Sequence, residues 1–252
     1  MIYALKKKII RVFDLIFTPV YVISYPKAGR TWLRALLAEV LIPDLCEDIK
    51  LDLTNATRKT FKIPTIVFTH AGYTKKEALT FPNHSRRTNF VLVRDPRDIV
   101  VSSYFEHTLR SGGFDSQKSI SDFLRDRVYG IESIIKFYNS ILENNKKIKI
   151  IRYEDMRSDT ILILEEILKD IGVNSQTFLN HVPEAVKKCE FKRMQAQAKK
   201  SKNSRLVSTD VRNPEAQKIR RGVVGGYISY LSDCDQEYVD AHMAKMNKKF
   251  GY

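Results

Sequence analysis

The sequence predicts a single α/β domain spanning residues 1–252, in which a central parallel β-sheet is flanked by helices. Four short runs rich in Val, Ile or Phe have the length and composition of buried strands, and segments with helical periodicity lie between several of them. With 43% hydrophobic residues the chain can bury one substantial core, and no repeat or low-complexity block divides it.

The predicted elements alternate along the chain. The strands are residues 20–25, 65–69, 89–94 and 147–153. The helices are residues 31–41, 98–109, 120–128, 131–142 and 160–171, with a last helix that runs from Ser232 towards Lys248. Ser232, followed three residues later by Asp235, has the form of a capping box. Because strands joined through helices pair in parallel, this order predicts a sheet covered on both faces.

The charge and the cysteines limit the partners. The chain carries 43 Lys and Arg against 29 Asp and Glu, a net charge of +14. This excess predicts an anionic partner: nucleic acid, a membrane surface, or a ligand that bears phosphate or sulfate. Cys46, Cys189 and Cys234 are far apart, with neither metal-ligand spacing nor a disulfide framework. We therefore expect a cytoplasmic protein in a reducing compartment.

Two segments differ from the strand–helix pattern. Residues 1–18 are amphipathic, and we expect a helix that packs on the domain; peripheral contact of residues 1–17 with an anionic membrane is the alternative. Residues 194–221 are polar and basic, with few large apolar residues and no clear period. That composition predicts a mobile basic lid rather than a domain boundary.

The turn after the first strand, Pro-Lys-Ala-Gly-Arg at 26–30, is a candidate anion site. Ligands bind beyond the carboxyl ends of parallel strands. Gly29 lets the backbone approach a ligand, the helix start offers unpaired N–H groups, and Lys27 adds a positive charge. A plain turn with a solvated lysine fits this stretch equally well. The nucleotide P-loop does not fit, because the single glycine follows the lysine.

A second anion site is predicted where the third strand meets the next helix. Arg94 ends the strand, Pro96 suits the first turn of a helix, and Asp98 favours its N-terminus. Ser102 lies one turn after Asp98 on the same face, so Arg94 and Ser102 can converge on one anion. For Arg97 and Asp98 we expect a capped, salt-bridged helix start.

Five segments, in order between residues 21 and 227, resemble the signatures of the sulfotransferases that use 3′-phosphoadenosine 5′-phosphosulfate (PAPS). They are Lys-Ala-Gly-Arg-Thr-Trp at 27–32, Arg94 to Ser102 with Tyr104, Arg-Tyr-Glu-Asp-Met at 152–156, Phe-Lys-Arg-Met at 191–194, and Arg-Arg-Gly-Val-Val-Gly-Gly-Tyr at 220–227. The resemblance implies the P-loop-NTPase-like sulfotransferase fold. It also implies in-line transfer of a sulfuryl group from PAPS to a hydroxyl or amine, with the nucleotide product PAP and no metal. The Lys- and Ile-rich composition suggests a bacterial member.

The resemblance assigns the PAPS contacts residue by residue. The 5′-phosphosulfate would be held by Lys27, Ala28, Gly29, Arg30 and Thr31. The 3′-phosphate would be held by Arg94, Ser102, Arg221 and Gly222, with Arg220 beside them. The adenine would lie between Trp32 and Phe191, with Tyr153 at its edge and Met194 in the same signature as Phe191. The sequence departs from the family pattern at Ala28, Arg30, Gly226 and Tyr227.

Two residues are the predicted catalytic groups. Lys27 would neutralise the charge that develops on the leaving phosphate. His70 ends the second strand, where the family usually has Lys-Thr-His, and a neutral imidazole could take the proton of an acceptor hydroxyl. The remaining histidines are interpreted as surface or packing residues: His84, His107, His181 and His242.

Two other functions stay open at this level. Glu154 and Asp155 could be the magnesium carboxylates of a P-loop-like nucleotide-dependent phosphotransferase, although the nucleotide loop is missing. A basic polyanion-binding module would explain the charge but not the clustering of Lys27, Arg94 and His70 at strand ends, so no nucleic acid is expected. The acceptor stays open among small molecules, glycans and lipids, because variable loops build its pocket; the oligomeric state stays open as well.

Overall fold

The computed structural model describes residues 19–43, 53–58, 63–70, 88–145, 148–200, 210 and 212–252. The amphipathic segment 1–18 lies outside these ranges, as do residues 71–87, which include 71–73 and 75–84, two of the loops that we expect to build the acceptor pocket. Within the described ranges, no helix is long and apolar enough to cross a membrane.

The predicted parallel sheet is confirmed. Its strands are β1 (Val20–Ser24), β2 (Ile66–Thr69), β3 (Asn89–Val93) and β4 (Ile148–Arg152), each within a residue or two of its predicted bounds. They lie in the order β2-β1-β3-β4, and all three neighbouring pairs are parallel. The carboxyl ends of all four strands therefore meet at one edge of the sheet.

The described part of the chain contains eleven α-helices. They are α1 (Arg30–Leu41), α2 (Leu53–Arg58), α3 (Pro96–Leu109), α4 (Ile120–Leu124), α5 (Ile131–Asn144), α6 (Tyr153–Ser158), α7 (Thr160–Asp170), α8 (Gln176–Leu179), α9 (Val182–Lys188), α10 (Phe191–Lys200) and α11 (Asp233–Met243). Short 3₁₀ turns lie at Pro214–Ala216, Gly226–Ser229 and Lys248–Phe250. The predicted cap is present, since the Ser232 side chain accepts the N–H of Asp235.

Two predicted elements were wrong. The helix predicted over 120–128 ends at Leu124, because the Asp126 carboxylate accepts the N–H groups of Val128 and Tyr129 and closes a turn instead. The stretch from 194 begins inside α10, so its first seven residues are helical rather than loop. The mobility of residues 194–221 stays a prediction.

The core lies between the sheet and helices on its two faces. Strand residues such as Val22, Phe90 and Val91 are almost completely buried, as are Leu33 and Leu37 on α1. Helix α9 packs on α1, and α5 packs on α3. Because the strands and these helices are rigidly packed, the residues that follow the strands are held in fixed positions at the carboxyl edge.

Candidate active site

One cavity of about 780 Å³ opens at this edge of the sheet. A predicted site residue follows every strand: His70, Arg94 and Tyr153 come directly after β2, β3 and β4, and Lys27 is the third residue after β1. Fourteen of the fifteen predicted site residues line the cavity: Lys27, Gly29, Arg30, Thr31, Trp32, His70, Arg94, Ser102, Tyr153, Phe191, Met194, Arg220, Arg221 and Gly222.

Ala28 is the exception. Its side chain is completely buried in the core, and its N–H donates to the carbonyl of Tyr25 at 3.4 Å. Ala28 is not among the residues that line the cavity, and its contact with the ligand stays a prediction.

The turn after β1 has a strained backbone. Lys27 has a φ of 70°, which is unusual for a residue other than glycine, and Gly29 has a φ of 101°. A Cβ on Gly29 would lie 2.5 Å from the ring of Tyr153. Helix α1 then begins with no side-chain cap and no acidic residue in its first turn. Its N-terminal N–H groups therefore face a site that suits an anion.

The Lys27 ammonium lies in a cluster of charges. Its Nζ donates to Glu106 Oε2 at 2.7 Å, and the Lys218 ammonium lies 3.3 Å from the other carboxylate oxygen. The Arg110 Nε lies 3.4 Å from Glu106 Oε2. Burial, followed by the positive charge of Lys218, lowers the pKa of Lys27 to about 8, against the opposing effect of Glu106.

Glu106 is ionised throughout the physiological range. Burial alone would raise its pKa, but the attraction of Lys27 and Lys218 lowers it to about 2. Asp98, Ser102 and Glu106 follow one another at intervals of four residues on α3, and all three line the cavity. At 1.5 Å per residue, Asp98 and Glu106 are about 12 Å apart along the helix axis.

His70 is oriented by the end of β1. Its Nδ1 lies 2.7 Å from the carbonyl oxygen of Ser24, which can only accept, so Nδ1 carries the proton and Nε2 keeps its lone pair. Burial, followed by the charge of Arg30, lowers the pKa of His70 to about 4. The imidazole is therefore neutral at physiological pH, as a proton acceptor must be.

Asp98 holds the glycine-rich segment 222–226 in place. Its buried carboxylate accepts the N–H of Gly225 at 2.9 Å and the N–H of Tyr227 at 3.1 Å. It also accepts from Arg94 at 3.3 Å, and Arg94 donates to the carbonyl of Val223 at 2.8 Å. The N-cap of α3 is Asp95, which accepts the N–H of Arg97. Asp98 lies in the first turn, as expected, and in addition it anchors the segment 222–226.

Aromatic side chains form the wall between the two charged regions. The Tyr153 ring makes an edge contact with Trp32 and carries the Arg94 guanidinium 4.6 Å above its centroid. A Cβ on Gly222, whose φ is 65°, would lie 2.5 Å from the ring of Phe191. The Trp32 indole donates to the carbonyl of Cys189 at 3.0 Å, which fixes its plane.

Arg220 and Arg221 differ in their surroundings. Arg220 is mostly buried, donates to Glu215 at 2.6 Å and to the hydroxyl of Tyr230 at 2.7 Å, and lies over the rings of Phe105 and Tyr230. Arg221 is half-exposed and pairs with Glu215 at 3.0 Å. Arg220 therefore shapes the wall, and Arg221 is the more accessible of the two.

Sequence reasoning missed several lining residues. Glu106 could have been found from its helical spacing with Asp98 and Ser102, whereas Lys218 lies in a basic stretch with no local signal. Also lining the cavity are Arg34, His107, Arg110, Arg157 and Tyr230. His107 was interpreted as a packing residue, and it does pack on Tyr129, but its position also lines the cavity.

The two carboxylates considered for magnesium are engaged in structural contacts. Glu154 accepts the N–H of Asp95 at 2.9 Å and the hydroxyl of Tyr252, and Asp155 lies 3.5 Å from Arg152. Across the described ranges, no three His, Cys, Asp or Glu side chains are grouped as metal ligands. Neither Glu154 nor Asp155 lines the cavity.

Comparison with known proteins agrees with this geometry. The chain is 26% identical to cytosolic sulfotransferase 16 of Arabidopsis thaliana in an alignment 244 residues long, which covers 85% of this chain and 72% of that protein. It is 26% identical to sulfotransferase 6B1 of Mus musculus over 59% of this chain, and spans about half, 53%, of that relative's length.

Solved structures share the fold. The crystal structure of mouse sulfotransferase SULT7A1 complexed with PAP matches 90% of this chain and 84% of its own, with a TM-score of 0.61 and 19% identity. Retinol dehydratase in a complex with retinol and PAP matches 90% of this chain and 80% of its own, with a TM-score of 0.64 and 16% identity. The sequence profile described as "Sulfotransferase domain" matches residues 17–251. The chain therefore belongs to the sulfotransferase family.

Proposed function

We propose that the protein transfers a sulfuryl group from PAPS to a hydroxyl group of an acceptor, with PAP as the nucleotide product. The observation that carries the proposal is a single cavity with two cationic ends, one around Lys27 and one around Arg94, separated by aromatic rings. A donor with a phosphosulfate, an adenine and a 3′-phosphate presents the matching groups in one molecule. Relatives of the same fold have been crystallised with PAP.

The residues at the end of the cavity around Arg94, which we call the nucleotide end, suit such a donor. The Nε of Arg94 is buried and has no hydrogen-bond partner among the described residues, so the guanidinium keeps a donor for a ligand. Gly29 and Gly222 let the rings of Tyr153 and Phe191 pack directly against the backbone, because a Cβ at either position would lie 2.5 Å from the ring. Arg94, Ser102 and Arg221 would hold the 3′-phosphate, and Trp32 and Phe191 the adenine.

Lys27 and the start of α1 support the transfer itself. The donor, when bound, supplies the sulfuryl group and a phosphate as leaving group. Lys27 and the N–H groups of Arg30 and Thr31 would stabilise the negative charge that develops on that phosphate. Lys27, whose φ is 70°, lines the cavity where the phosphosulfate would lie.

His70 would take the proton of the acceptor hydroxyl. The hydrogen bond from Nδ1 to the Ser24 carbonyl leaves Nε2 as the basic nitrogen, and the low pKa keeps it unprotonated. Androsterone and retinol occur with PAP in structures of retinol dehydratase, so small-molecule alcohols are the first acceptors to screen.

Calorimetry with two matched nucleotides tests the proposal. PAP and 5′-AMP differ only in the 3′-phosphate, so PAP should bind about ten- to a hundredfold more tightly, the value of one charge-assisted contact. Arg94→Met should remove most of that difference, and Arg127→Met, at an exposed arginine, should keep it. Equal affinity for the two nucleotides, or no transfer of label from ³⁵S-PAPS to any of a panel of alcohols, would refute the proposal.

A further inference from the structure

Glu106 lies at the end of the cavity around Lys27, which we call the transfer end. Its Oε2 accepts from the Lys27 ammonium at 2.7 Å, and its Oε1 accepts from the Lys218 ammonium at 3.3 Å. The Arg110 Nε lies 3.4 Å from Oε2. Both oxygens are thus engaged, and the contact with Lys27 is the shortest. Sulfuryl transfer by Lys27 and His70 gives this carboxylate no step of its own, so its contact with the reacting lysine needs another explanation.

The Lys27–Glu106 pair is largely shielded from water. The two side chains are 12% and 19% exposed. Lys136 and Glu132 on α5 form a contact of similar length, 2.6 Å, but they are 72% and 48% exposed. Water screens the charges of the exposed pair, whereas the shielded pair interacts in surroundings of lower dielectric constant. Loss of the carboxylate should therefore change the state of Lys27 far more than that of Lys136.

Glu106 is held more rigidly than Lys27. It lies on α3, which packs on α5. Lys27 lies in the turn between β1 and α1, and its ammonium stands at the end of a flexible four-carbon stem. A carboxylate fixed on a helix 2.7 Å from the ammonium limits the positions that this stem can take. The free enzyme thus holds the ammonium at the transfer end before a donor arrives.

The charge of Lys27 also depends on Glu106. Burial, followed by the positive charge of Lys218, lowers the pKa of Lys27 to about 8, and Arg110 acts in the same direction. Glu106 opposes them through its charge and its hydrogen bond, both of which raise this pKa. If the carboxylate were lost, burial and the two cations would remain, and Lys27 would be mostly uncharged at neutral pH. An uncharged amine would not supply the positive charge that the leaving phosphate requires.

The other titratable groups at the transfer end do not replace Glu106. Burial lowers the pKa of His70 to about 4 and also lowers the pKa of His107, so both rings are neutral around pH 7. Arg30, at the start of α1, is positive throughout and adds to the lowering of the pKa of His70. Asp98, the other carboxylate in the described lining, is engaged at the nucleotide end. Glu106 is therefore the carboxylate that acts on Lys27.

We propose, on the basis of the proposed function, that Glu106 is the positioning residue for Lys27: it holds the charged ammonium at the transfer end of the free enzyme until the phosphosulfate of the donor takes its place as the partner. Glu106 then keeps Lys218 and Arg110, which neutralise it beside the incoming anion. The bound donor itself keeps Lys27 charged, since an adjacent anion favours the ammonium form. The role of Glu106 is therefore expected in kcat/KM, which reports the groups of the free enzyme, and less in kcat.

The pH profile of kcat/KM for PAPS tests this role. In Glu106→Gln the fall at alkaline pH should move from about pH 8 to roughly pH 5–7, because loss of an adjacent opposite charge lowers a lysine pKa by about 1–3. Lys218→Gln should move the fall in the opposite direction, since that cation lowers the pKa of Lys27. Glu132→Gln, at the exposed pair on α5, should leave the profile unchanged. Lys27→Arg combined with Glu106→Gln should abolish the fall, because arginine stays charged.

Competitive acetylation of the free enzyme measures the same group without turnover. Only the uncharged amine reacts, so the pH of half-maximal labelling at Lys27, read by mass spectrometry, should move in Glu106→Gln as the kinetic profile does. Glu106→Asp keeps the charge but lengthens the contact, so its half-maximal pH should lie between those of the Gln variant and the unmodified enzyme.

An unchanged kinetic or labelling profile in folded Glu106→Gln would overturn the inference. If that variant does not fold, an unchanged labelling profile in Glu106→Asp would overturn it instead. Absence of both PAP binding and PAPS turnover in the unmodified enzyme would refute the proposed function, and the labelling would still decide whether Glu106 holds Lys27 in its charged form.

Discussion

Replacement of Asp98 by Asn tests how the nucleotide end is assembled. The Asp98 carboxylate is 3% exposed and accepts hydrogen bonds from Gly225, Tyr227 and Arg94. The asparagine side chain has nearly the same shape, but it carries no charge and one of its two acceptor oxygens becomes an NH₂ group. One backbone N–H or the Arg94 guanidinium then faces a donor instead of an acceptor.

The expected cost follows from these contacts. Charge-assisted hydrogen bonds contribute about 1.5–3 kcal/mol each, so the loss of one and the weakening of the others should cost about 2–3 kcal/mol. If the segment 222–226 detaches locally, PAP binding has to restore it. The affinity for PAP should then fall roughly 30- to 150-fold. If the cost falls on global unfolding, the Tm should drop by about 4–12 °C for a chain of this size.

The assay is calorimetric titration with PAP, together with thermal unfolding of the nucleotide-free protein. Asp240→Asn is the matched control, because the Asp240 side chain is 65% exposed and lies 3.5 Å from Arg97. That variant should change neither quantity measurably. Asp98 also partly neutralises Arg94, so removal of its charge favours tighter PAP binding and opposes the loss expected from the broken contacts. An Asp98→Asn protein with unchanged Tm that binds PAP as tightly as, or more tightly than, the unmodified protein would refute the anchoring role.

Three further predictions concern the reacting groups and the nucleotide wall. His70→Ala should lower turnover of an alkyl alcohol roughly 10²–10⁴-fold and turnover of an acidic phenol much less. The affinity of this variant for PAP should be unchanged. Near-normal turnover of the alkyl alcohol by the folded variant would exclude His70 as the base. The pH profile of kcat/KM should be flat between about pH 4 and about pH 8, because His70 is protonated below this range and Lys27 loses its charge above it. Lys27→Arg should remove the fall in kcat/KM at alkaline pH. An unchanged fall in this variant would contradict the assignment to Lys27. Gly222→Ala should weaken PAP binding at least about tenfold, because the new Cβ would lie 2.5 Å from Phe191 and the φ of this residue is 65°. Gly112→Ala is the control for backbone strain alone, because its φ is 63° and no atom lies within 4 Å of the new Cβ.

The sequence alone was sufficient to predict the sheet, the family and the order of the motifs. Strands buried on both faces are continuous apolar runs, and their bounds can be read locally. A ligand site in a parallel sheet lies beyond strand ends, so Lys27, His70 and Arg94 could be assigned to one edge before their distances were known. The roles of these residues towards PAPS stay predictions.

The tertiary structure decided which side chains surround those residues. Glu106 is 79 residues from Lys27 and 112 from Lys218, and no periodicity relates such distant positions. The capture of the 222–226 segment by Asp98 likewise joins residues 127 positions apart. Ala28 is buried because neighbouring elements of the core surround it, which a local pattern does not contain. Long-range packing and charge pairing, rather than local propensity, therefore determine the electrostatics of the cavity.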